Sequence, residues 1–227
     1  MKPWVVLGKA PGEEGKELVL SERDGTFVIR AGGLELMSSA RHGSEEAMAD
    51  LALQGLTSAV PSVLIGGLGL GYTLRATLDR LPSKATVVVC EISKAVADWN
   101  RGPLAKLHQD ALSDPRVHLE VGDAGRAIAN RTKSLDAILL DADNGPSALT
   151  LRRNQELYEY AGLARAHQAL KLGGSLVVWS ASPDPRFMNR LEDVGFDAHE
   201  ERVPVREGKK AVHVLFVGKK RLVKKQR

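Results

Sequence analysis

The sequence predicts an α/β protein built on a doubly wound, mostly parallel sheet of seven strands, with a small antiparallel β appendage ahead of it. Three observations predict it. From Pro61 onward, short apolar runs alternate with helical stretches. A cluster of glycines follows the first of those runs. The last two runs are joined by a short polar link, REGKK, instead of a helix. Apolar strands separated by helices mean a parallel sheet covered on both faces. A closing hairpin finishes one edge with an antiparallel pair.

The elements follow in order. Residues 1–16 are rich in Gly, Pro and Lys and are expected to be loose. ELVLS and TFVIRA flank Arg23-Asp24-Gly25, and Asp-Gly between alternating runs is a hairpin signal. Gly32-Gly33 then turns the chain into LELM, a third short strand. Residues 1–43 therefore read as an extension with a small antiparallel sheet. Ser44 is placed to cap a helix reaching about Gln54, with Met48, Leu51, Ala52 and Leu56 on one side. SVLIG is the first strand of the main sheet, and GYTLRATLDRL its helix. ATVVVCEI and SKAVADWNR repeat the pattern, and LAKLHQDAL resumes it after Gly102-Pro103. VHLEV, AGRAIANR and LDAILLD continue it. A longer loop, ADNGPSALTLRR, leads to a helix ending near Leu172, which Gly173-Gly174 closes before the strand LVVWS. The helical stretch DPRFMNRLEDVGF precedes the hairpin strands HEERVPV and AVHVLFV. The main domain is expected over residues 44–218 and a basic tail over 219–227.

Composition narrows the function classes. With 43% hydrophobic and 26% charged residues, the chain is neither fibrous nor disordered. Its apolar runs are far shorter than the roughly 20 residues of a membrane-spanning helix. The amino end lacks the apolar stretch of a secretory signal. The single cysteine, Cys90, suits a reducing compartment, so a cytoplasmic location is expected. The net charge of +4 is unevenly spread. Six of the 32 basic residues lie in the last ten, GKKRLVKKQR, leaving 26 basic against 28 acidic residues before it. Such a body is not suited to wrapping a nucleic acid. The tail reads as a solvated end, with a tether to RNA or another polyanion as the alternative. A homodimer is left open, and no metal is expected.

In a doubly wound sheet, ligands bind at the carboxyl ends of the strands. After the first strand stand Gly66, Gly67, Leu68, Gly69, Leu70, Gly71 and Tyr72. Glycines there let the backbone approach a ligand at a helix start. The spacing is G-x-G-x-G, which is neither a dinucleotide fingerprint nor a P-loop. After the second strand stand Glu91 and Ile92; an acid at that place can accept both hydroxyls of a ribose. After the third, Gly122-Asp123-Ala124 can read an adenine edge, or Asp123 can cap the following helix. After the fourth, Asp141 and Asp143 are candidates for a base and an electrostatic clamp beside an amine or cation, or for a turn.

Glycines, an acid, a Gly-Asp and an acid pair, in that order, resemble the class I S-adenosylmethionine-dependent transferases. Within that fold the chain is similar to the spermidine synthase family. VLIGGLGLGYTLR looks like its glycine motif, DPRVHLEVGDA like its Asp-Pro-Arg-Val and Gly-Asp segment, and LLDADNGPSAL like its acidic Gly-Pro loop. Asn154 through Tyr158 resembles the helix start that follows. The resemblance covers roughly residues 17–218. It implies that Gly66 through Tyr72 admit the methionine end of the cofactor, Glu91 and Ile92 its ribose, and Asp123 and Ala124 its adenine. Asp141 then orients or deprotonates the nucleophile, with Asp143 beside it.

The chain also departs from that family. An aspartate of the family's glycine loop is replaced by Gly69. Its Gln, paired acids and Tyr-x-Glu-Met before the first main strand are replaced by LMSSARHGSEEAM, which holds Arg41 and His42. Decarboxylated S-adenosylmethionine ends in a bare ammonium, which a carboxylate holds. The carboxylate of S-adenosylmethionine itself would be repelled there. Gly69 therefore leads to an expectation of ordinary S-adenosylmethionine and methyl transfer to a small-molecule acceptor. The alternative is aminopropyl transfer from decarboxylated S-adenosylmethionine to a polyamine. A third reading is a non-catalytic nucleotide- or partner-binding protein.

Overall fold

The computed structural model describes residues 2–12, 15–141, 146, 156–204 and 212–221. Two sheets are present among them. Four strands, β1 (Val5–Pro11), β2 (Glu17–Arg23), β3 (Thr26–Ala31) and β4 (Leu34–Ser38), form an antiparallel meander in chain order. The stretch expected to be loose therefore contains a strand. Gly8 made it hard to see: a Cβ there would sit 2.4 Å from the Trp99 indole nitrogen, so the glycine lets β1 lie against Trp99. The register with β2 shifts at the same place, between Val6 and Gly8.

The larger sheet has seven strands. They are β5 (Ser62–Gly66), β6 (Thr86–Glu91), β7 (Val117–Val121), β8 (Leu135–Leu140), β9 (Leu170–Ser180), β10 (Phe196–Pro204) and β11 (Val212–Lys220). Their spatial order is β10-β11-β9-β8-β5-β6-β7. The pairs β9-β8, β8-β5, β5-β6 and β6-β7 are parallel. The pairs β10-β11 and β11-β9 are antiparallel. This is the doubly wound architecture expected, with the hairpin at one edge. Helices α1 (Gly43–Leu53), α2 (Tyr72–Arg80), α3 (Lys94–Arg101), α4 (Ala124–Ala129), α5 (Tyr160–Ala169) and α6 (Pro185–Val194) accompany it.

Alternate residues of the central strands feed two separate cores, which is why their sequences are continuously apolar. Leu64, Val88, Cys90, Ile138, Leu140, Leu176 and Val178 pack on one face. Val63, Ile65, Val87, Val89, Ala137, Leu139 and Val177 pack on the other. A third cluster joins the two sheets: Leu20, Phe27 and Ile29 of the meander pack on Leu70, Val96, Trp99 and Leu104. The meander therefore braces the glycine loop and α3 directly.

Several elements differ from expectation. LAKLHQDAL forms two 3-10 turns, Ala105–His108 and Ala111–Ser113, because Gln109 and Asp110 both adopt left-handed backbone. The helix expected to reach Leu172 ends at Ala169, and β9 begins at Leu170. Gly173, at φ +78°, serves an irregularity inside that strand and does not cap the helix. Ser44 does not cap α1; His42 holds the cap position without a side-chain bond to the helix. The REGKK link and residues 222–227 of the expected tail lie outside the described residues. The strand β11 extends to Lys220, whose ammonium donates to the carbonyl oxygens of His167 and Leu170. No helix among the described residues is long and apolar enough to cross a membrane.

Candidate functional site

The ends of β5, β6, β7 and β8 bring Gly66 through Tyr72, Glu91, Asp123 and Asp141 to one edge of the larger sheet, where a doubly wound sheet has its crevice. Hydrogen bonds between the strand ends hold it together. Gly67 donates from its backbone N–H to the Cys90 carbonyl (2.8 Å), Gly122 to that of Glu91 (2.9 Å), and Asp141 to that of Gly66 (2.8 Å). Each post-strand residue is thus tied to the neighbouring strand.

The glycines divide by purpose. Gly66 is fully enclosed, and a Cβ there would meet the Ala124 methyl and Leu140 Cδ2 at 3.0 Å. Gly71, at φ +84°, would place a Cβ 2.4 Å from the His108 ring. These two are glycines because protein packs against them. Gly67 (φ +95°) and Gly69 (φ +53°) also need left-handed backbone. Both reach the crevice surface. A Cβ on Gly69 would stand 3.6 Å from Met37 Sδ, ordinary contact distance, so the protein leaves space there. Asn100 Nδ2 donates to the Gly69 carbonyl at 2.9 Å and fixes the loop from behind.

Glu91 is only 7% exposed. Its Oε2 accepts from the Leu68 N–H at 2.9 Å and its Oε1 from the Ser93 N–H at 2.8 Å. Burial pushes its carboxyl above the usual range, and the backbone N–H groups around it pull the other way. The carboxylate is thus a clasp between the glycine loop and the start of α3. The N–H groups of Gly69 and Ile92 also bear on the carboxylate, so a ligand hydroxyl there shares it with the backbone. Ile92 beside it is exposed at 39%. Asp123 caps α4, its Oδ1 accepting from the Arg126 N–H at 2.8 Å, and Ala124 follows, buried against Gly66.

Asp141 stands just past β8, half-buried, with Thr73 Oγ1 donating to its Oδ2 at 2.6 Å. Burial, and after it the nearby Glu45 carboxylate, push its carboxyl up to about 7, against the pull of Thr73. Asp143 lies outside the described residues, as do Asn154 and the rest of the acidic loop except Pro146. Of the segment that replaces the family's acids, His42 stacks on Tyr72 with ring centroids 4.4 Å apart. Its Nδ1 lies 2.9 Å from Glu46 Oε1, while Arg41 pairs with Glu35. Tyr72 donates to the Ser39 carbonyl at 3.3 Å, tying α2 to the chain that leaves the meander.

The family described as Spermine/spermidine synthase domain matches residues 41–185, more than half of the chain. The chain belongs to the spermine/spermidine synthase domain family. A polyamine aminopropyltransferase of Mycobacterium tuberculosis is 30% identical over 172 residues, covering 74% of this chain and 31% of that protein. One of Saccharolobus solfataricus is 29% identical over 168 residues, covering 73% of this chain and 54% of that protein. The chain thus spans about a third of the length of the first of these relatives and about half of the second. The crystal structure of spermidine synthase from Thermotoga maritima superposes with a TM-score of 0.76 at 17% identity, covering 95% of this chain and 72% of that one. At that identity it speaks for the fold.

The expectation of methyl transfer is overturned by these findings, since family and relatives alike point to aminopropyl transfer. The physical reason lies in the charge that Gly69 removes. A carboxylate missing from the glycine loop says nothing about carboxylates arriving from other elements. Glu45, from the first turn of α1, places one near Asp141. Sequence reading passed over Glu45 and Thr73. Thr73 had one signal, its place two residues after the last loop glycine, in the first turn of α2.

Proposed function

We propose that this chain is a polyamine aminopropyltransferase that moves the aminopropyl group of decarboxylated S-adenosylmethionine to a small amine. The observation that carries it is Asp141. It is a carboxylate held by Thr73 at the mouth of a glycine-loop crevice, in a member of the spermine/spermidine synthase domain family, with its carboxyl poised near 7. A base of that strength suits general base work near neutrality.

The residues support a division of labour. Gly67 and Gly69 leave backbone open to the sulfonium end of the donor substrate. Glu91 takes the ribose hydroxyls, flanked by Ile92. Asp123 and Ala124 face the adenine. Asp141 accepts a proton from the attacking ammonium, freeing the nitrogen lone pair. The new bond joins that nitrogen to the aminopropyl carbon; the carbon–sulfur bond breaks, and its electron pair stays on methylthioadenosine. The protein's main task is alignment, since the sulfonium is already a good leaving group.

Supplying decarboxylated S-adenosylmethionine and putrescine tests this reading. Methylthioadenosine should form in step with a larger polyamine. Asp141→Asn should lower the rate by roughly 10²–10⁴ while leaving nucleoside affinity near normal. No methylthioadenosine with any diamine, or an unchanged rate in Asp141→Asn, overturns it.

A further inference from the structure

We propose that Glu45 is a specificity-determining residue of the acceptor pocket, holding the ammonium of the acceptor that does not react. This deepens the reading of Asp141 as the base for the reacting amine and rests on it.

Glu45 is aimed by three elements. Its Oε2 accepts from Ser44 Oγ at 2.6 Å. Ser44 Oγ lies 3.0 Å from His213 Nδ1 on β11. A hydroxyl has one hydrogen, so Ser44, donating to Glu45, accepts from His213, which must then carry its proton on Nδ1. Trp179 of β9 packs against the His213 ring, with centroids 4.6 Å apart. The relay Trp179–His213–Ser44–Glu45 crosses from the sheet to α1. Ser44 is buried within it. A surface carboxylate needs no such support.

The surroundings select the charge of the occupant. Among the described residues, Glu45 from α1 and Thr73 from α2 act on Asp141, and Ser44, His42 and Glu46 act on Glu45. His42 also stacks on Tyr72, and Arg41 is engaged by Glu35. The Arg41 guanidinium acts on His213, one step back along the relay. Two half-buried carboxylates therefore raise each other's cost of ionisation, and a cation between them relieves it. A neutral or anionic acceptor does not. A diamine places one nitrogen at Asp141 and the other at Glu45.

The test compares putrescine with n-butylamine, which has a single nitrogen, in wild type and Glu45→Gln. Glutamine keeps the shape and still accepts from Ser44. For putrescine, KM and the calorimetric Kd should rise at least about tenfold, with the KM of the donor and of n-butylamine unchanged. The acid limb of kcat should move to lower pH, since Asp141 loses a negative neighbour. Ser44→Ala should show a smaller rise in the same direction. Unchanged putrescine KM and Kd in folded Glu45→Gln overturns the role of Glu45, while wild-type turnover keeps the aminopropyl reading. If wild type makes no methylthioadenosine, that reading falls, and calorimetry still decides: putrescine binding weakened by Glu45→Gln keeps the amine site, and absence of binding overturns it.

Discussion

At Glu91 one side chain carries two obligations. Its place at a strand end leads to the expectation that it takes a ligand's hydroxyls. In the structure both oxygens also accept backbone N–H groups, from Leu68 and Ser93. Glu91→Gln puts an amide donor against one of those N–H groups. Two donors then face each other in a buried place, a cost of about 1–3 kcal/mol in stability. Nucleoside affinity should fall in the same variant, by roughly 5–150-fold. Scanning calorimetry and nucleoside titration read the two effects separately. Full stability in Glu91→Gln would show that the clasp carries no load. The first obligation was legible in sequence, because an acid at a strand end is a local pattern. The second was not, because Leu68 is 23 residues away and becomes a neighbour only once β5 and β6 pair.

At the scale of elements, what could be read followed from periodicity and what could not depended on contact. The strands β5, β6 and β8 were legible because both faces are buried and the residues are apolar throughout. β1 was not, since its mostly exposed pattern and its Gly8 imitate a loop until Trp99 is set against it. Likewise LAKLHQDAL has helical spacing, but the chain turns at Gln109 and Asp110 to bring His108 under the glycine loop. That turn yields a prediction for the start of α2. Gly71→Ala must hold φ near +84° and push its methyl into a fully buried His108. The expected loss is about 2–4 kcal/mol from backbone strain and overpacking together. Chemical denaturation measures it; a loss under half a kcal/mol, taken as roughly the surface level, would mean the loop and His108 yield easily. The larger departure of the site from expectation has the same origin. Glu45 stands in a segment whose sequence only says that it differs from its relatives, and its bearing on Asp141 comes from where α1 is docked.

For the molecule as a whole, Asp141 sets a term in stability against pH. Its folded carboxyl titrates near 7, above an unfolded value near 3.8. Between those values the folded state binds the proton more tightly than the unfolded one. The group's contribution is therefore fully present below the lower value and is lost as pH rises through the upper one. Unfolding free energy should fall with rising pH across that window, by no more than about 1.4 kcal/mol per pH unit from this group. Asp141→Asn should remove that slope, and denaturant titrations of both proteins between pH 4 and 8 measure the difference. Equal slopes would place the proton elsewhere. A different vulnerability follows from the strand order. β11 lies between β9 and β10, so among the described strands it is the one that joins β10 to the sheet. When β11 is displaced, β10 goes with it, and Leu176, Val177 and Val178 of β9 are left on a bare edge beside uncovered apolar faces. Such an edge is a template for pairing between chains. Damage to β11 therefore leads toward aggregates more readily than toward a soluble, partly folded chain.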